Sequence, residues 1–431
     1  MPIQSYLLTF NCARNLVSPD TLAPSLFDAL PNAASVPDVV AISLQEVAPI
    51  AYSFLGGSYL KPYFDRVSTT VHLAAHLRSH GSERLEHIAT RSLGMTALMI
   101  FARPRFAERI RWIQAAGAGV GFWNMGNKGA VALRLGVSCP DSDDTLNLSF
   151  TAAHLAPMEW DCEGRNKDWE NIVRNMVFLN NDTSGYTSSE EVPLLASALD
   201  PPADNNGLFF PGSHLFLAGD LNYRTYDTPP GPEAYESYPQ PVASESSAAH
   251  FSHLLKKDQL TREREANRTL HGLQEVPIDF PPTYKYSMRR QHREHKRSSS
   301  DVQEKYEWAK HRYPSWCDRI LYLPAPPSSP RLEPQLYTAL PVQPTSDHRP
   351  VVLSLRVDDR PLPQDAEDIR SRPPFPINPD WRARRDAARR WEVIVGILSY
   401  LALTKKGNAI IVAVGGMTFA GWYLAAWLSR G

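Results

Sequence analysis

Polar and ionisable side chains recur at the ends of short apolar runs along most of this chain. They are Asn11 after LLTF, Gln45 and Glu46 after AISL, His154 after FTAA, Asp220 and Asn222 after LFLAG, Asp318 before ILY, and Asp347 with His348 before RPVVL. A single residue of this kind is usually a cap or a turn former. The number of such residues exceeds what caps and turns require. In a layered α/β domain, the functional site assembles at the ends of the strands. The pattern therefore predicts a functional site.

The residue types in this set suit chemistry on a phosphate ester. Mg²⁺ prefers hard oxygen ligands, which the chain offers at Glu46, Asp220, Asn222 and Asp347. His154 and His348 can contact a phosphate, and a neighbouring aspartate can hold a histidine as the imidazolium. No cysteine or serine lies in a nucleophile elbow or a phosphate-binding loop, which favours attack by an activated water.

The composition is that of an ordinary globular protein. The chain has 431 residues, of which 43% are hydrophobic and 21% charged, and its net charge is −1. This length gives one large or two ordinary domains, and the balanced charge argues against a general nucleic-acid binder. The cysteines lack zinc-ligand spacing and are interpreted as small, reduced, buried residues: Cys12, Cys139, Cys162 and Cys317.

Short, branched apolar runs indicate the strands that would position the polar residues. They are Tyr6–Phe10, Val39–Leu44, Thr96–Phe101, Gly129–Leu135, Leu146–Ala152, His214–Ala218, Ile320–Tyr322 and Val351–Val357. Many are continuously apolar, which is typical of strands covered on both faces. Stretches of helical spacing, such as Trp169–Leu179, lie between some of them. The sequence therefore predicts sheets packed inside helices, in an α/β or α+β layered domain.

Polar segments interrupt this pattern and are predicted to be insertions: Asn180–Gly212, Thr228–Ala248 and Arg289–Ser300. In the last of them, Arg289–Arg297 either contacts anionic lipid, at about 1 kcal/mol per basic residue, or forms a disordered loop. After Val357 the chain becomes rich in proline and charge, which predicts a linker that gives the domain some reach.

The twenty residues Ala409–Leu428 carry no charge and lie almost at the end of the chain. A helix of about twenty residues covers about 30 Å, the hydrocarbon thickness of a bilayer, and Trp422, Tyr423 and Trp427 would lie in an aromatic belt. The segment is therefore interpreted as a membrane anchor, with a buried core helix as the alternative. The shorter apolar stretch Val393–Leu403 either lies in the membrane interface or packs as the last helix of the domain.

The charges beside the anchor predict its orientation. Basic residues precede it at Arg382, Arg384, Arg385, Arg389, Arg390, Lys405 and Lys406. Arg430 alone follows it. Since the positive flank stays in the cytosol, the large N-terminal part should face the cytosol. An anchor of this length suits a thin bilayer such as that of the endoplasmic reticulum, and another cytosol-facing membrane is the alternative.

Motifs in a fixed order give the chain its resemblance to a known family. They are TFNCARN (9–15), SLQEV (43–47), GNKGAVALR (126–134), AAHLAP (152–157), LAGDLNYR (217–224), PPTYKY (281–286), RYPSWCDRILY (312–322) and SDHRPV (346–351). With these motifs the chain resembles the inositol polyphosphate 5-phosphatases of the endonuclease/exonuclease/phosphatase superfamily. Its C-terminal anchor is similar to that of tail-anchored fungal members of the endoplasmic reticulum.

The resemblance implies a four-layer sandwich of two stacked mixed β-sheets flanked by helices, with Mg²⁺ as the cofactor. The metal ligands it implies are Glu46, Asn11, Gln45 and Asp347. The catalytic residues it implies are Asp220, Asn222, His348, Asp318, His154 and Asn11. The substrate-binding residues it implies are Asn127, Lys128, Tyr284, Lys285, Lys310, Arg312 and Arg349.

The same resemblance implies a role for the principal residues. Asp220 would orient and deprotonate the attacking water, and Asn222 would position the phosphoryl group. Asp318 would pair with His348, which stabilises charge on the transferring phosphate, and His154 would lie towards that phosphate. The residues that would grip the 4-phosphate are Tyr284, Lys285, Lys310 and Arg312, while Asn127 and Lys128 lie in a glycine-flanked loop near the headgroup.

The expected organisation is a catalytic domain at 1–357, a Pro/Arg-rich linker at 358–390, an amphipathic juxtamembrane segment at 391–408 and an anchor at 409–428. The expected reaction is Mg²⁺-dependent hydrolysis of phosphatidylinositol 4,5-bisphosphate to phosphatidylinositol 4-phosphate in the cytosolic leaflet, with no nucleic-acid partner and with protein partners left open. The alternatives are a phosphatase of soluble inositol polyphosphates, a nuclease or sphingomyelinase of the same superfamily, and an inactive membrane-tethered module that binds phosphoinositides.

Overall fold

The computed structural model of the chain describes residues 2–31, 36–140, 143–180, 206–242, 244–288, 305–326 and 331–429. The predicted insertion Arg289–Ser300, with its lipid contact, lies outside the described residues. Most of Asn180–Gly212 and the terminal Arg430 lie outside them as well.

Among the described residues, strands and helices are interspersed, with several runs of two or three consecutive strands. The strands are β1 (Ile3–Asn11), β2 (Val39–Gln45), β3 (Glu86–Leu93), β4 (Thr96–Ala102), β5 (Ile110–Gly119), β6 (Gly129–Ser138), β7 (Thr145–His154), β8 (Leu179–Asn180), β9 (Ser213–Asp220), β10 (Asp318–Tyr322), β11 (Leu332–Ala339) and β12 (Val351–Val357). The α-helices are α1 (Pro19–Leu22), α2 (Ile50–Leu55), α3 (Lys61–Ser79), α4 (Pro104–Ala107), α5 (Cys162–Asn175), α6 (Ser252–Leu255), α7 (Gln259–Glu265), α8 (Trp381–Leu403) and α9 (Lys405–Leu428). Short 3₁₀ turns lie at Ala23–Ser25, Gly57–Tyr59, Phe122–Asn124 and Ala234–Ser237.

The strands form two mixed sheets of six strands each. The first has the order β11-β12-β1-β2-β4-β3, and the second has the order β10-β9-β7-β6-β5-β8. Each sheet contains one parallel pair, β1 with β2 in the first sheet and β7 with β9 in the second, and its other neighbours are antiparallel.

The two sheets stack face to face around an apolar core. Its side chains come from both sheets and include Leu7, Ile100, Leu133, Phe150, Phe216, Ile320 and Leu353. Helix α3 covers the outer face of the first sheet, and α5 covers the outer face of the second. This arrangement confirms the predicted sandwich of two mixed sheets flanked by helices.

The ends of the central strands meet at one edge of the sandwich. Parallel neighbours end together, so Asn11 pairs in register with Gln45, and His154 pairs with Asp220. The antiparallel strand β10 begins at Asp318, opposite Asp220, and therefore starts at the same edge. Strand register alone thus gathers polar residues that are far apart in sequence.

Every predicted strand lies within an observed strand. The structure adds β3, β5, β11 and the two-residue β8, which the apolar runs did not indicate. The helix predicted at Trp169–Leu179 was wrong in its bounds, because α5 begins at Cys162, ends at Asn175, and leaves Leu179 in β8.

The C-terminal segment after β12 packs against the body of the molecule instead of leaving it. Leu362 is buried, and the buried Arg370 donates to the backbone oxygens of Ser213 at 2.8 Å and Pro324 at 2.8 Å. Helix α8 then runs unbroken from Trp381 to Leu403 across the boundary predicted at residue 390.

Helix α9 is the one helix among the described residues that is long and apolar enough to cross a membrane, with a mean hydropathy of 1.7. It begins directly after Thr404, whose side chain accepts a hydrogen bond from the amide of Gly407. None of the residues in its most apolar stretch is buried, whereas a core helix would be mostly buried. These properties agree with the predicted anchor.

We expect Leu133→Ala to lower the free energy of unfolding by about 2–5 kcal/mol, because it opens a cavity between the two sheets. Leu336→Ala, at an exposed position on the edge strand β11, should change it by less than about 0.5 kcal/mol. Urea denaturation of the detergent-solubilised chain measures both values. Equal losses in the two variants would contradict the inter-sheet core.

Candidate active site

Asp220, at the end of β9, is the centre of the polar cluster at this edge. Its side chain is 2% exposed, and its Oδ2 lies 3.3 Å from Nε2 of His154. Its Oδ1 accepts a hydrogen bond from the amide of Asn222 at 3.2 Å. Asp220 is therefore held at both carboxylate oxygens by groups from the second sheet and the loop that follows it.

Asn11 brings the first sheet to the same point. Its Nδ2 donates to Oδ2 of Asp220 at 2.8 Å, and its Oδ1 accepts from the amide of Ala13 at 2.9 Å. Its backbone oxygen accepts from the Ser346 hydroxyl at 2.6 Å, in the turn that carries His348. With both amide atoms bonded, the side chain of Asn11 is fixed in one orientation.

His348 and Asp318 form a buried pair beside Asp220. Nδ1 of His348 lies 2.8 Å from Oδ2 of Asp318, and the same oxygen accepts from the Thr283 hydroxyl at 2.7 Å. Nε2 of His348 faces Oδ2 of Asp220 at 4.0 Å. The ring of Tyr284 packs on the imidazole, with ring centres 4.5 Å apart.

The surrounding charges set the protonation of these groups. Burial favours a neutral His348, but the carboxylates of Asp318 and Asp220 outweigh it and raise the pKa of His348 to about 9. Burial would raise the pKa of Asp220, yet the contact with His154 and the charge of His348 lower it below the ordinary value. Burial, and then the charge of Lys128, lower the pKa of His154. Near neutral pH the site therefore holds an imidazolium at His348, a carboxylate at Asp220 and a neutral His154.

A divalent cation fits the oxygen-rich side of this cluster. Glu46 follows β2 at a positive φ of 44°, and its charge acts on both Lys128 and His154. Oδ1 of Asp318 is buried without a hydrogen-bond partner among the described residues, and a carboxylate oxygen of Asp318 lies within 4.8 Å of one of Asp220. Clustered carboxylates with an unsatisfied oxygen are suitable ligands for a hard cation.

The other predicted metal ligands have protein partners of their own. Gln45 is fully buried beside Asn11, and its amide accepts from the Thr9 hydroxyl at 3.2 Å and donates to the Ser43 hydroxyl at 2.8 Å. Asp347 lies next to His348, with its Oδ2 2.7 Å from Nζ of Lys285. The structure thus places Gln45 beneath the site and Asp347 at its rim.

Several predicted substrate-binding residues lie at the mouth of the site. Nζ of Lys128 contacts the imidazole of His154. Lys285 pairs with Asp347, as described above, and lies 5.2 Å from the ring centre of Tyr284. Arg312 pairs with the buried Glu159. These cations line the approach to Asp220.

The remaining predicted residues lie apart from this cluster or turn away from it. Lys310 is exposed and lies 3.7 Å over the ring of Tyr235. Arg349 donates through Nε to the backbone oxygen of Leu340 at 2.8 Å.

The side chains of Asn222 and Asn127 also have surroundings other than Asp220. Asn222 has a φ of 57° and donates to the backbone oxygen of Leu155 at 3.0 Å. Oδ1 of Asn127 is buried in the loop without a hydrogen-bond partner among the described residues.

Residues that the sequence analysis did not single out also shape the site. Thr283 bonds Asp318, and Glu159 holds Arg312. Arg224 is buried, donates to the backbone oxygen of Pro157 at 2.6 Å, and lies 4.5 Å from the ring centre of Tyr284. Thr283 and Arg224 stand inside the PPTYKY and LAGDLNYR motifs, so polarity within a motif was the available signal.

Comparisons with known proteins identify relatives of this chain. A family model described as Endonuclease/Exonuclease/phosphatase family 2 matches residues 8–354. A phosphatidylinositol 3,4,5-trisphosphate 5-phosphatase 2B of Danio rerio is 29% identical over 60% of this chain and 18% of its own length. The polyphosphatidylinositol phosphatase INP53 of Saccharomyces cerevisiae is 28% identical over 75% of this chain and 24% of its own. The chain thus spans less than a quarter of the length of these relatives.

A solved structure has the same fold. It is the inositol polyphosphate 5-phosphatase domain of SPsynaptojanin, in complex with inositol (1,4)-bisphosphate and a calcium ion. The superposition has a TM-score of 0.57 at 21% identity and covers 93% of each chain. At this identity the likeness shows a common fold.

We expect Asp318→Asn to lower the pKa of His348 from about 9 towards or below about 6.5, because it removes the main charge that favours the imidazolium. Since the folded pKa is raised, charged His348 stabilises the fold fully below about pH 6.5, and this contribution is lost as the pH rises through about 9. An NMR titration of the imidazole, assigned with His348→Gln, measures the shift. Asp65→Asn, at an exposed pair with Lys61, should leave it unchanged, and an unchanged titration in Asp318→Asn would contradict the pairing.

Proposed function

The chain belongs to the endonuclease/exonuclease/phosphatase family 2, and from that membership we propose that it is a phosphoinositide 5-phosphatase. The observation that carries the proposal is the convergence on Asp220 of Asn11 from one sheet and His154 from the other, beside the His348–Asp318 pair. This set provides a proton acceptor, a cation for a phosphoryl group and fixed hydrogen-bond donors. The names of the relatives support a phosphorylated inositol lipid as the substrate.

The reaction follows from the protonation of these groups. Asp220 is ionised and bonded by Asn11, so it can orient a water molecule and accept its proton as the water attacks phosphorus. His348 is held as imidazolium by Asp318, and its Nε2 lies 4.0 Å from Oδ2 of Asp220, so a phosphoryl group beside Asp220 would also meet the imidazolium. Its charge stabilises the negative charge that develops on the phosphoryl oxygens. His154 and Lys128 contribute polar contacts on the other side of Asp220.

Mg²⁺ is the cofactor we propose. Glu46 would be its principal ligand, with Asn11 and Gln45 beside it and Asp347 as a further carboxylate at the rim. When bound, the ion would neutralise phosphoryl charge and polarise the phosphorus–oxygen bond. The oxygen-rich side of the cluster described above supports this assignment.

Phosphatidylinositol 4,5-bisphosphate is the substrate we propose, with phosphatidylinositol 4-phosphate as the product. Its non-reacting phosphate needs fixed cations, and Lys285 and Arg312 lie at the mouth of the site, each held by a carboxylate partner. Tyr284 packs between His348 and Lys285 and would fix the separation of the two phosphates.

We propose that the reaction takes place on the bilayer that holds α9, with the catalytic domain in the cytosol and the endoplasmic reticulum as the membrane. The length and hydropathy of α9 support an anchor, and the basic flank before it supports the orientation. Exposed apolar residues of α8, Ile394, Ile397 and Leu398, lie close in sequence to the anchor and suit the membrane interface. An anchored enzyme meets a lipid substrate at a raised effective concentration.

Phosphate release from liposomes tests the activity. The full chain should release phosphate from phosphatidylinositol 4,5-bisphosphate with Mg²⁺, but not with EDTA and not from phosphatidylinositol 4-phosphate. Asp220→Asn should lower kcat by about 10²–10⁴-fold, because the proton acceptor is lost. Asp227→Asn, at a half-exposed pair with Arg262, should retain activity. Binding of the lipid without turnover would instead favour an inactive lipid-binding module.

The variant Lys285→Met tests whether Lys285 binds the 4-phosphate of the substrate. We expect KM for phosphatidylinositol 4,5-bisphosphate to rise about 10- to 100-fold, the value of one charge-assisted hydrogen bond. Phosphatidylinositol 5-phosphate, which lacks that phosphate, should be hydrolysed as by the wild type. Lys256→Met, at an exposed lysine, is the matched control. An equal loss on both lipids would assign Lys285 to the reacting phosphate instead.

A further inference from the structure

Helix α8 lies against the catalytic body along one row of residues. Ala388, Glu392 and Gly396, spaced by four, are buried, and residues at this spacing share one face of a helix. At Gly396 a Cβ atom would lie 3.1 Å from Cβ of Phe54 and 3.3 Å from the amide of Leu55. Glycine at this position allows the close approach of α8 to α2.

Glu392 is the charged residue in this buried row. Its side chain is 2% exposed, its Oε1 accepts from the backbone amide of Gly126 at 2.8 Å, and its Oε2 lies 3.2 Å from Nη1 of Arg389. A buried carboxylate is costly unless it is hydrogen-bonded and paired, and these two partners meet that requirement. The bond to Gly126 joins residues 266 positions apart in sequence.

Further contacts fasten the same helix to the same loop. The ring of Trp391 packs on Trp123 with centres 4.5 Å apart, and Arg384 donates to Oδ1 of Asn124. A separate contact, from Arg389 to the backbone oxygen of Phe54 at 2.7 Å, fastens the helix to α2. Helix α8 therefore holds residues 121–128, which we call the mouth loop, at several points.

The mouth loop leads directly into the site. Gly126 is fixed on its other side, because its backbone oxygen accepts from the amide of Met95 at 2.9 Å. A Cβ at Gly94, where φ is +53°, would lie only 2.2 Å from that oxygen. Lys128 follows two residues later and contacts His154, which touches Asp220. A short and constrained path thus connects Glu392 with the catalytic cluster.

We propose that Glu392 is a positioning residue, which holds the mouth loop so that Lys128 stays against His154 at the reacting phosphate. The role in turnover rests on the function proposed above, whereas the hold on the loop does not. Because α9 begins two residues after α8 ends, the helix that holds the loop is also the one that leads into the membrane. Glu392 therefore joins the anchor to the active site through one backbone hydrogen bond.

Hydrogen–deuterium exchange of the full chain in phosphatidylcholine nanodiscs tests the hold on the loop. In Glu392→Leu, peptides that cover residues 121–128 should exchange about tenfold faster, as expected when a charge-assisted bond is lost. Peptides of β6 and β7 should be unchanged. Glu392→Gln keeps an accepting oxygen and should stay within about twofold of the wild type. Asp386→Leu removes an exposed carboxylate of the same helix and is the matched control.

Turnover of water-soluble dioctanoyl phosphatidylinositol 4,5-bisphosphate by the same samples tests the positioning role. We expect kcat/KM to fall about tenfold in Glu392→Leu, to recover in Glu392→Gln and to stay unchanged in Asp386→Leu. Recovery by the amide distinguishes positioning from a general need for charge. A folded Glu392→Leu chain with wild-type loop exchange and wild-type turnover would overturn the proposal.

Two further results keep the test decisive. If Glu392→Leu does not fold, Glu392→Ala, which removes the same carboxylate, takes its place, and unchanged loop exchange in that variant would also overturn the proposal. If the wild type releases no phosphate from any lipid, the proposed function fails, while the exchange data still decide whether Glu392 holds the loop.

Discussion

The hydrogen bond from Asn11 to Asp220 is the interaction on which the arrangement of the site depends. It joins the ends of two central strands from different sheets, β1 and β9, at 2.8 Å. A bond to a buried carboxylate contributes about 1.5–3 kcal/mol, and here it also fixes the relative position of the two sheets at their functional edge. The Ser43 hydroxyl makes a second link, to the backbone oxygen of Ala218 at 2.8 Å. The sandwich is thus tied together next to its chemistry.

Alternating charge is the second constraint. Asp220, His348 and Asp318 alternate in sign and lie in contact or near contact, and the neutral His154 lies between Asp220 and Lys128. In a buried setting each ionised group needs an opposite neighbour, so the loss of one charge changes the protonation of the next. That dependence raises the pKa of His348 and lowers that of Asp220. The same residues therefore have two roles. Their charges stabilise one another in the folded chain, and they would also act on a bound phosphate.

The sequence predicted the parts of the structure that burial dictates. The central strands are largely apolar, because both faces are covered, and the polar residues at their ends predicted the site. Strands β3, β5 and β11 lack this signal: β11 is a largely exposed edge strand with Pro334, and β5 ends in the small residues AAGAG. Thr283 and Glu159 act through one partner each, which only the folded chain reveals. Lys310, which the resemblance assigned to the substrate, has an exposed side chain that lies over the ring of Tyr235.

Helix α8 shows why the packing of the C-terminal segment was difficult to predict from the sequence. Its sequence is rich in arginine, and a run of charged residues usually forms a solvated face of a helix. The neighbouring sequence does not indicate that Glu392 is buried, because its hydrogen-bond partner is the distant backbone amide of Gly126. The linker predicted at 358–390 to give the domain some reach instead packs along it, through Arg370 and Ala388. A docked segment restricts the orientations that the domain can adopt relative to α9. In the function proposed above, an anchor joined in this way would raise the local concentration of substrate and would also limit which face of the domain meets the bilayer.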